Sequence, residues 1–356
     1  LKNMHPSSAG LIYGLEVHHL DHLAPLCAIL EIPLIVTEKL LLKQVQEVYP
    51  FVDVLYLDCL ELPFFLIKNY RFVFSCFSRI MLNELLFLSE LLSKKKIHTI
   101  WCPHGNSDKG NIKPYAEALC QENLLLVYGQ QMIDFFNRHR LIKPYVITGN
   151  FRYQFYMQHK TWYDAYVRKK ISLEQKKNIL YAPTWQDYEK SSSFFSMIDF
   201  LIEQKPGKYT LLIKPHPNLR LQNLFLVEEL EEKCKTLPGV YFISDPIPIH
   251  PLLNHCDLYI GDRSSIGYDF LHVNRPMFFL NQNDLKEPLS TYLFRCGHAI
   301  LPEHYPSIYS LMDHEQQELI LIRKKVYQYA FAPCSCLKQL KKTIFHALDE
   351  IKDHRR

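Results

Sequence analysis

Short runs of aliphatic, β-branched and aromatic residues recur along the chain with little polar alternation. In the first half they are Gly10–Tyr13, Pro33–Thr37, Val52–Leu57, Phe72–Cys76, Ile97–Trp101, Leu125–Tyr128 and Val146–Ile147. In the second half they are Ile179–Tyr181, Tyr209–Lys214, Val240–Ile243, Leu258–Ile260 and Met277–Leu280. Runs of this kind suit strands buried on both faces. Helical patterns lie between them, at Met81–Ser93, Ala116–Gln121, Phe194–Gln204, Asn223–Thr236, Ile266–His272 and Gln316–Tyr329. Alternation of this sort predicts βαβ units and parallel sheets. A polar, aromatic and basic stretch, Asn150–Lys176, separates the halves. The expectation is therefore an α/β protein of two doubly wound domains, residues 1–155 and 156–330. Residues 331–356 hold an amphipathic helix, Leu337–Ile351, that is expected to cross back to the first domain.

Composition narrows the class. With 356 residues, 48% hydrophobic and 22% charged, the chain suits two globular cores. A net charge of +4 is a mild bias, so a nucleic-acid partner is not expected. It fits an anionic small molecule or weak contact with acidic lipid. The ten cysteines are scattered, mostly in apolar runs, and no C-x-x-C pair occurs. Reduced thiols in a cytoplasmic protein are the expectation. The apolar runs Leu62–Ile67 and Leu85–Leu88 are too short to span a bilayer, so any membrane contact is expected to be peripheral. The first residue is Leu1, and the natural start is expected to lie upstream.

Ligands of doubly wound sheets bind just beyond the carboxyl ends of the strands, so the loops there carry the information. Pro103-His104-Gly105 follows the fifth run. Pro103 stiffens the exit, Gly105 permits an unusual turn, and His104 is presented where it can take a proton from a hydroxyl. The plainer reading is a loop histidine bonded to backbone. Lys214-Pro215-His216-Pro217 holds one histidine in an extended loop beside a positive charge, which suits a diphosphate, or else makes a rigid turn with a surface histidine. Gly261-Asp262-Arg263-Ser264-Ser265 leads into a helix. Ser264 or Ser265 is a natural N-cap, and the first-turn N–H groups make a phosphate cradle, or simple capping with no ligand. Asp262 is placed to hold a hydroxyl or orient a histidine. In Ala182-Pro183-Thr184-Trp185, Thr184 is a phosphate-bonding candidate and Trp185 equally a packing residue.

In this order the loops resemble the CDP-glycerol glycerophosphotransferase family, the teichoic-acid polymerases and primases. The matching elements are His104-Gly105, Tyr181–Thr184, Pro215–Pro217 and Asp262–Ser265. Gly149-Asn150-Phe151-Arg152, Asp269 and Arg275-Pro276 add to the likeness. It covers about residues 97–280. The resemblance implies a GT-B-like fold of two Rossmann-like domains facing a central cleft, an acceptor domain first and a nucleotide-donor domain second. It implies His104, His216 and Asp262 as catalytic residues. It implies that His216, Ser264 and Ser265 hold the donor, a CDP-glycerol or UDP-sugar, and their strand-end positions add Thr184, Lys214 and Arg263 to that side. From their places after the first and fifth runs, His22, Gly105, Ser107 and Lys109 are expected to face a polyol or glycan acceptor, lipid-linked where the polymer is. Three departures fall mostly on the acceptor side: Asn106-Ser107-Asp108-Lys109 in place of Thr-Pro-Leu-Lys, Arg263 in place of Tyr, and Phe151 in place of Pro.

The cluster His18-His19-Leu20-Asp21-His22 is read as lining the acceptor side, not as a metal site, and no cofactor is expected. No Walker loop, G-x-S-x-G elbow or H-E-x-x-H motif occurs, which sets aside nucleoside triphosphatases, serine hydrolases and zinc proteases. Two readings compete with the transferase: a UDP-N-acetyl-sugar 2-epimerase of the same architecture, and a catalytically degenerate nucleotide-binding protein. Lys338, Lys341 and Lys342, followed by Lys352, Arg355 and Arg356, form a basic end that suits either solvent or an anionic membrane surface.

Overall fold

The computed structural model describes residues 7–107, 113–173, 176–185, 192–244, 246–280, 292–312, 317–334 and 336–353. Thirteen strands form two wholly parallel sheets among these residues. The chain divides into two units. The first holds residues 1–104, 110–158 and 329–356; the second holds 105–109 and 159–328.

The first sheet comprises β1 (Ser8–Ile12), β2 (Leu34–Val36), β3 (Val54–Tyr56), β4 (Phe72–Ser75), β5 (His98–Trp101), β6 (Leu124–Val127) and β7 (Tyr145–Ile147), in the order β3-β2-β1-β4-β5-β6-β7. The helices between are α1 (Leu20–Leu30), α2 (Lys39–Val48), α3 (Leu62–Asn69), α4 (Arg79–Ser93), α5 (Lys113–Glu117), α6 (Gln130–Arg138) and α7 (Phe151–Gln158). Every residue of β1, β2, β4, β5 and β6 is buried, as expected of strands covered by helices on both faces. Leu23, Leu26 and Leu30 of α1 are sealed from solvent, and each such leucine contributes about 1.5–3 kcal/mol.

The second unit has α8 (Lys160–Lys170), β8 (Lys177–Ala182), α9 (Phe194–Glu203), β9 (Tyr209–Ile213), α10 (Pro217–Gln222), α11 (Leu224–Lys235), β10 (Val240–Phe242), α12 (Ile249–Asn254), β11 (Leu258–Gly261), α13 (Ser265–Phe270), β12 (Met277–Leu280), β13 (His298–Ile300) and α14 (Ile308–Leu311). Its sheet order is β10-β9-β8-β11-β12-β13. Helix α15 (Gln317–Ala330) leads back to the first unit, where α16 (Leu337–Asp353) buries Leu340, Ile344, Phe345 and Leu348.

Both sheets wind outward from their first strand in one direction and then resume on its other side. The order reverses between β1 and β4 in the first sheet and between β8 and β11 in the second. Crevices form at such reversals, because consecutive connections leave to opposite sides. No helix of the described residues is long and apolar enough to cross a membrane.

Several expected elements shift. β13 was not expected, since His298-Ala299-Ile300 is too short and mixed to stand out. The helix expected at Ala116–Gln121 begins earlier and ends at Glu117. The one expected at Asn223–Thr236 is preceded by a separate short helix, α10, which Pro217 opens with its fixed φ.

Candidate functional site

The first sheet gathers histidines at its reversal. After β1 the chain turns through a short 3-10 segment, Val17–His19, before α1. After β5 it reaches His104, whose ring centroid lies 5.6 Å from that of His18 and 5.4 Å from that of His19. His19 is also 5.0 Å from Phe77, which follows β4. His104 keeps exposed surface even though protein packs densely around it. Desolvation, with repulsion from His18, pushes its pKa down to about 4. Burial lowers His18 to about 4, and burial with repulsion from His18 and His104 lowers His19 to about 2. All three imidazoles are therefore neutral at physiological pH, each able to accept a proton without first losing one.

His22 lies one turn into α1 and does not share a helix face with His18, which belongs to the 3-10 turn. Its Nδ1 is 2.8 Å from the Tyr128 hydroxyl, which donates to the Pro103 carbonyl at 3.0 Å. Because that hydroxyl proton goes to Pro103, Nδ1 of His22 must carry the proton of the other bond. The chain His22–Tyr128–Pro103 thus tethers the residue before His104. Arg152 is buried, pairs with Asp21 at 3.0 Å and lies over the Tyr128 ring. Asp21 also accepts from the Tyr49 hydroxyl at 2.8 Å. Gly149 allows the close approach that brings Arg152 in. Its φ is 59°, and a Cβ there would stand 2.5 Å from the Ala332 carbonyl oxygen.

In the second sheet the register pairs Gly261 with Ala182, so Asp262 and Pro183 leave side by side. Asp262 is buried, and its Oδ2 accepts from the backbone N–H groups of Thr184 (2.9 Å) and Ser193 (3.1 Å). One carboxylate therefore joins the loops after β8 and β11 and the start of α9. Thr184 is buried, and its carbonyl accepts from the Ser192 hydroxyl at 2.7 Å. His216 occupies the N-cap of α10, and its Nδ1 accepts from the Asn218 N–H at 3.2 Å. The cap fixes the tautomer: Nε2 carries the proton, and the ring presents a donor. Trp185 lies beside it, with ring centroids 6.3 Å apart. Lys214 is half-buried at the same strand end.

Ser264 is the N-cap residue of α13, but its hydroxyl lies 3.2 Å from the Tyr259 hydroxyl and makes no cap bond. The first-turn N–H groups of α13 are not satisfied by that side chain. Gly105 belongs to this unit by its contacts. Its φ is 130°, and a Cβ would stand 2.4 Å from the Ser265 Cβ, so the position admits only glycine without a shift. Asn106 is buried, Ser107 exposed and Arg263 half-buried. Lys109 lies outside the described residues.

Among the described residues, the set that could hold a cation is Glu16, His18 and His19, whose ligand atoms lie within 4.8 Å of one another. The sequence pattern passed over Tyr128, Tyr49 and Ser193. Each is linked to its partner across more than ten residues of chain, and no local motif signals such a contact.

Two parallel sheets, each carrying polar loops at its reversal, define a protein of the GT-B fold class. Residues 105–287, a little over half of the sequence, match the CDP-glycerol:poly(glycerophosphate) glycerophosphotransferase model, and the chain belongs to that family. It is 28% identical over 262 residues to the teichoic acid glycerol-phosphate primase of Bacillus subtilis (strain 168), covering 68% of this chain and 65% of that protein. It is 32% identical over 120 residues to the teichoic acid poly(glycerol phosphate) polymerase of Bacillus spizizenii, covering 32% of this chain and 28% of that protein. The match thus spans less than two thirds of either relative. In fold it is similar to the wall teichoic acid polymerase TagF, with a TM-score of 0.67 at 15% identity over 98% of this chain and 90% of that one. It is also similar in fold to S. aureus MnaA solved with UDP, with a TM-score of 0.62 at 13% identity over 98% of each chain.

Proposed function

We propose that the protein transfers glycerol phosphate from CDP-glycerol to a free hydroxyl of a lipid-linked cell-wall polymer, at the inner face of the cell membrane. The observation that carries this reading is the pairing of family membership with two differently equipped strand-end sites. The acceptor hydroxyl attacks the phosphorus bearing glycerol. A new P–O bond forms, the bond to the bridging oxygen of the diphosphate breaks, and CMP leaves with that oxygen. His104 takes the hydroxyl proton as general base. Its neutrality at pH 7 supports this role.

Negative charge grows on the departing CMP. His216 donates from Nε2, Lys214 and Arg263 add positive charge, and the N–H groups at the start of α13 with Ser264 and Ser265 complete the cradle. Thr184 lines the same side. Asp262 positions these loops through its two backbone bonds. Residues 1–155 carry the acceptor, with His22 on its side, and residues 156–330 carry the nucleotide; Gly105, Ser107 and Lys109, expected with the acceptor, belong to a loop that falls in the second unit, where Gly105 packs against Ser265.

The test is CMP release from CDP-glycerol with and without a glycerol-phosphate-primed lipid acceptor. Release that depends on acceptor is expected; conversion of a UDP-N-acetyl sugar without acceptor would instead indicate an epimerase. In a thermal-shift panel, CDP-glycerol or CMP at 100-fold over its dissociation constant should stabilise by about 2.7 kcal/mol, and UDP should do less.

A further inference from the structure

Two of the three imidazoles at the first reversal have no part in the proposed transfer. His18 and His19 sit in the short turn that Glu16 opens. The His19 N–H donates to the Glu16 carbonyl at 3.0 Å and closes a 3-10 turn. Residues three apart eclipse in such a turn, so Glu16 and His19 leave it on one side. His18 lies beside them: its Nδ1 is 3.4 Å from Glu16 Oε2, and its ring centroid is 4.3 Å from that of His19. One ligand atom from each of the three lies within 4.8 Å of the others. His19 is buried, and its Nδ1 has no hydrogen-bond partner among the described residues. No lysine or arginine of the described residues pairs with the Glu16 carboxylate, which faces His18 instead. His22, which the spacing in sequence pairs with His18, is turned away to Tyr128.

We infer that Glu16, His18 and His19 bind a zinc ion, with His104 as its fourth ligand. Imidazoles with one carboxylate suit zinc, whereas magnesium and calcium take oxygen ligands. Ligand atoms about 2.0–2.1 Å from a tetrahedral ion stand about 3.4 Å apart, the separation already found between His18 and Glu16. Two imidazoles on such an ion have ring centroids about 5 Å apart. His104 lies 5.6 Å from His18 and 5.4 Å from His19 by this measure, and it belongs to the same unit. Rotation about side-chain bonds closes the remaining gaps. An ion so held takes the lone pair with which His104 would accept the hydroxyl proton, so zinc inhibits the transfer. That consequence rests on the transfer reading. Zinc binding itself needs neither donor nor acceptor, so its failure is separable from failure of the reaction.

The experiment is calorimetric titration of zinc chloride into the chelator-treated full chain, without substrate. Binding of one equivalent is expected. Glu16→Gln, His18→Ala and His104→Ala should each weaken it by more than the about 10-fold that loss of an outer-shell partner costs, whereas His346→Ala, exposed on α16, should not. Cobalt(II) in the wild type should show the strong visible absorption of a four-coordinate ion and lose intensity in His104→Ala. Circular dichroism checks the folding of each variant. Glu16 is half-buried and Gln keeps its shape, so that variant remains a fair test if a histidine variant unfolds. With CDP-glycerol and acceptor, zinc should stop CMP release and chelator restore it. The zinc needed should rise in Glu16→Gln by the same factor as its dissociation constant. A wild type that binds no zinc, or binding unchanged in the Glu16 and His18 variants, would overturn the site. Binding unchanged in His104→Ala, or zinc that binds and leaves CMP release as it was, would overturn the fourth ligand. Absence of CMP release under every condition would count against the transfer reading, and calorimetry would still decide the zinc site.

Discussion

The reversal of the first sheet is furnished with imidazoles, and that of the second with a carboxylate, hydroxyls and helix starts. In the first, three rings sit close together, and desolvation by the protein packed around them, with their mutual repulsion, holds them neutral. In the second, the buried charge of Asp262 is satisfied by backbone N–H groups, and His216 is locked as a donor by its own cap. The same architecture thus offers a proton acceptor at one reversal and a set of donors at the other. What differs is which atoms the local backbone claims, since capping decides the tautomer of His216 and crowding decides the charge of His104.

The largest expected effect tests that division directly. His104→Ala should cut turnover by about 10²–10⁴-fold while leaving CMP affinity intact by calorimetry. His216→Ala should weaken nucleotide affinity along with rate, because a charge-assisted bond to phosphate is lost. The reverse pattern would exchange the donor and acceptor sides.

Next in size is Asp262→Ala. It leaves the N–H groups of Thr184 and Ser193 buried without an acceptor, at about 1–3 kcal/mol each. A melting temperature lower by several degrees is expected, with partial rescue by Asp262→Asn, which keeps one carbonyl oxygen. No change in melting would show that these bonds do not hold the loops.

Tyr128→Phe should be milder. It removes the bridge from His22 to the Pro103 carbonyl at a cost of about 1–2 kcal/mol, and turnover should fall more than nucleotide affinity, since the loop it steadies bears His104.

The smallest effect near neutral pH is on stability, and it grows as the pH falls. His19 takes up a proton below about pH 6.5 when unfolded, but in the folded chain burial holds its pKa at about 2. The unfolded state therefore binds more protons, and folding stability falls as the pH drops below 6.5, by up to about 1.4 kcal/mol per pH unit from this residue. His18 and His104 act in the same direction from about 6.5 down to about 4. His19→Gln should flatten denaturant midpoints measured between pH 7 and pH 5.

Much of this is legible in the sequence, because apolar runs without alternation mark buried strands and the strand-end loops follow from them. Strands such as Phe72–Ser75 and Tyr209–Ile213 lie within a residue of their expected bounds. The family and the two-sheet fold were likewise readable from Tyr181–Thr184, Pro215–Pro217 and Asp262–Ser265, since a loop motif is local in sequence. Legibility ended where contacts span long stretches of chain. The Asp262 bond to Thr184 crosses 78 positions and the His22 bond to Tyr128 crosses 106, and no periodicity encodes either. The exposed face of α4 is also not legible, because the length of Leu85–Leu88 shows only that it cannot span a bilayer, not which of its side chains meet solvent.

The first unit is discontinuous in sequence, closing only with residues 329–356. The returning segment supports the site itself: the Ala332 N–H donates to the Tyr128 carbonyl at 2.9 Å, and Phe331 packs 5.4 Å from the Tyr128 ring. During synthesis the ribosome delivers His22, His104 and Tyr128 long before this brace. A nascent chain shorter than about residue 333 has every side chain proposed for the reaction yet lacks the strut behind Tyr128, so translation must pass Phe331 and Ala332 before the first reversal takes its working shape.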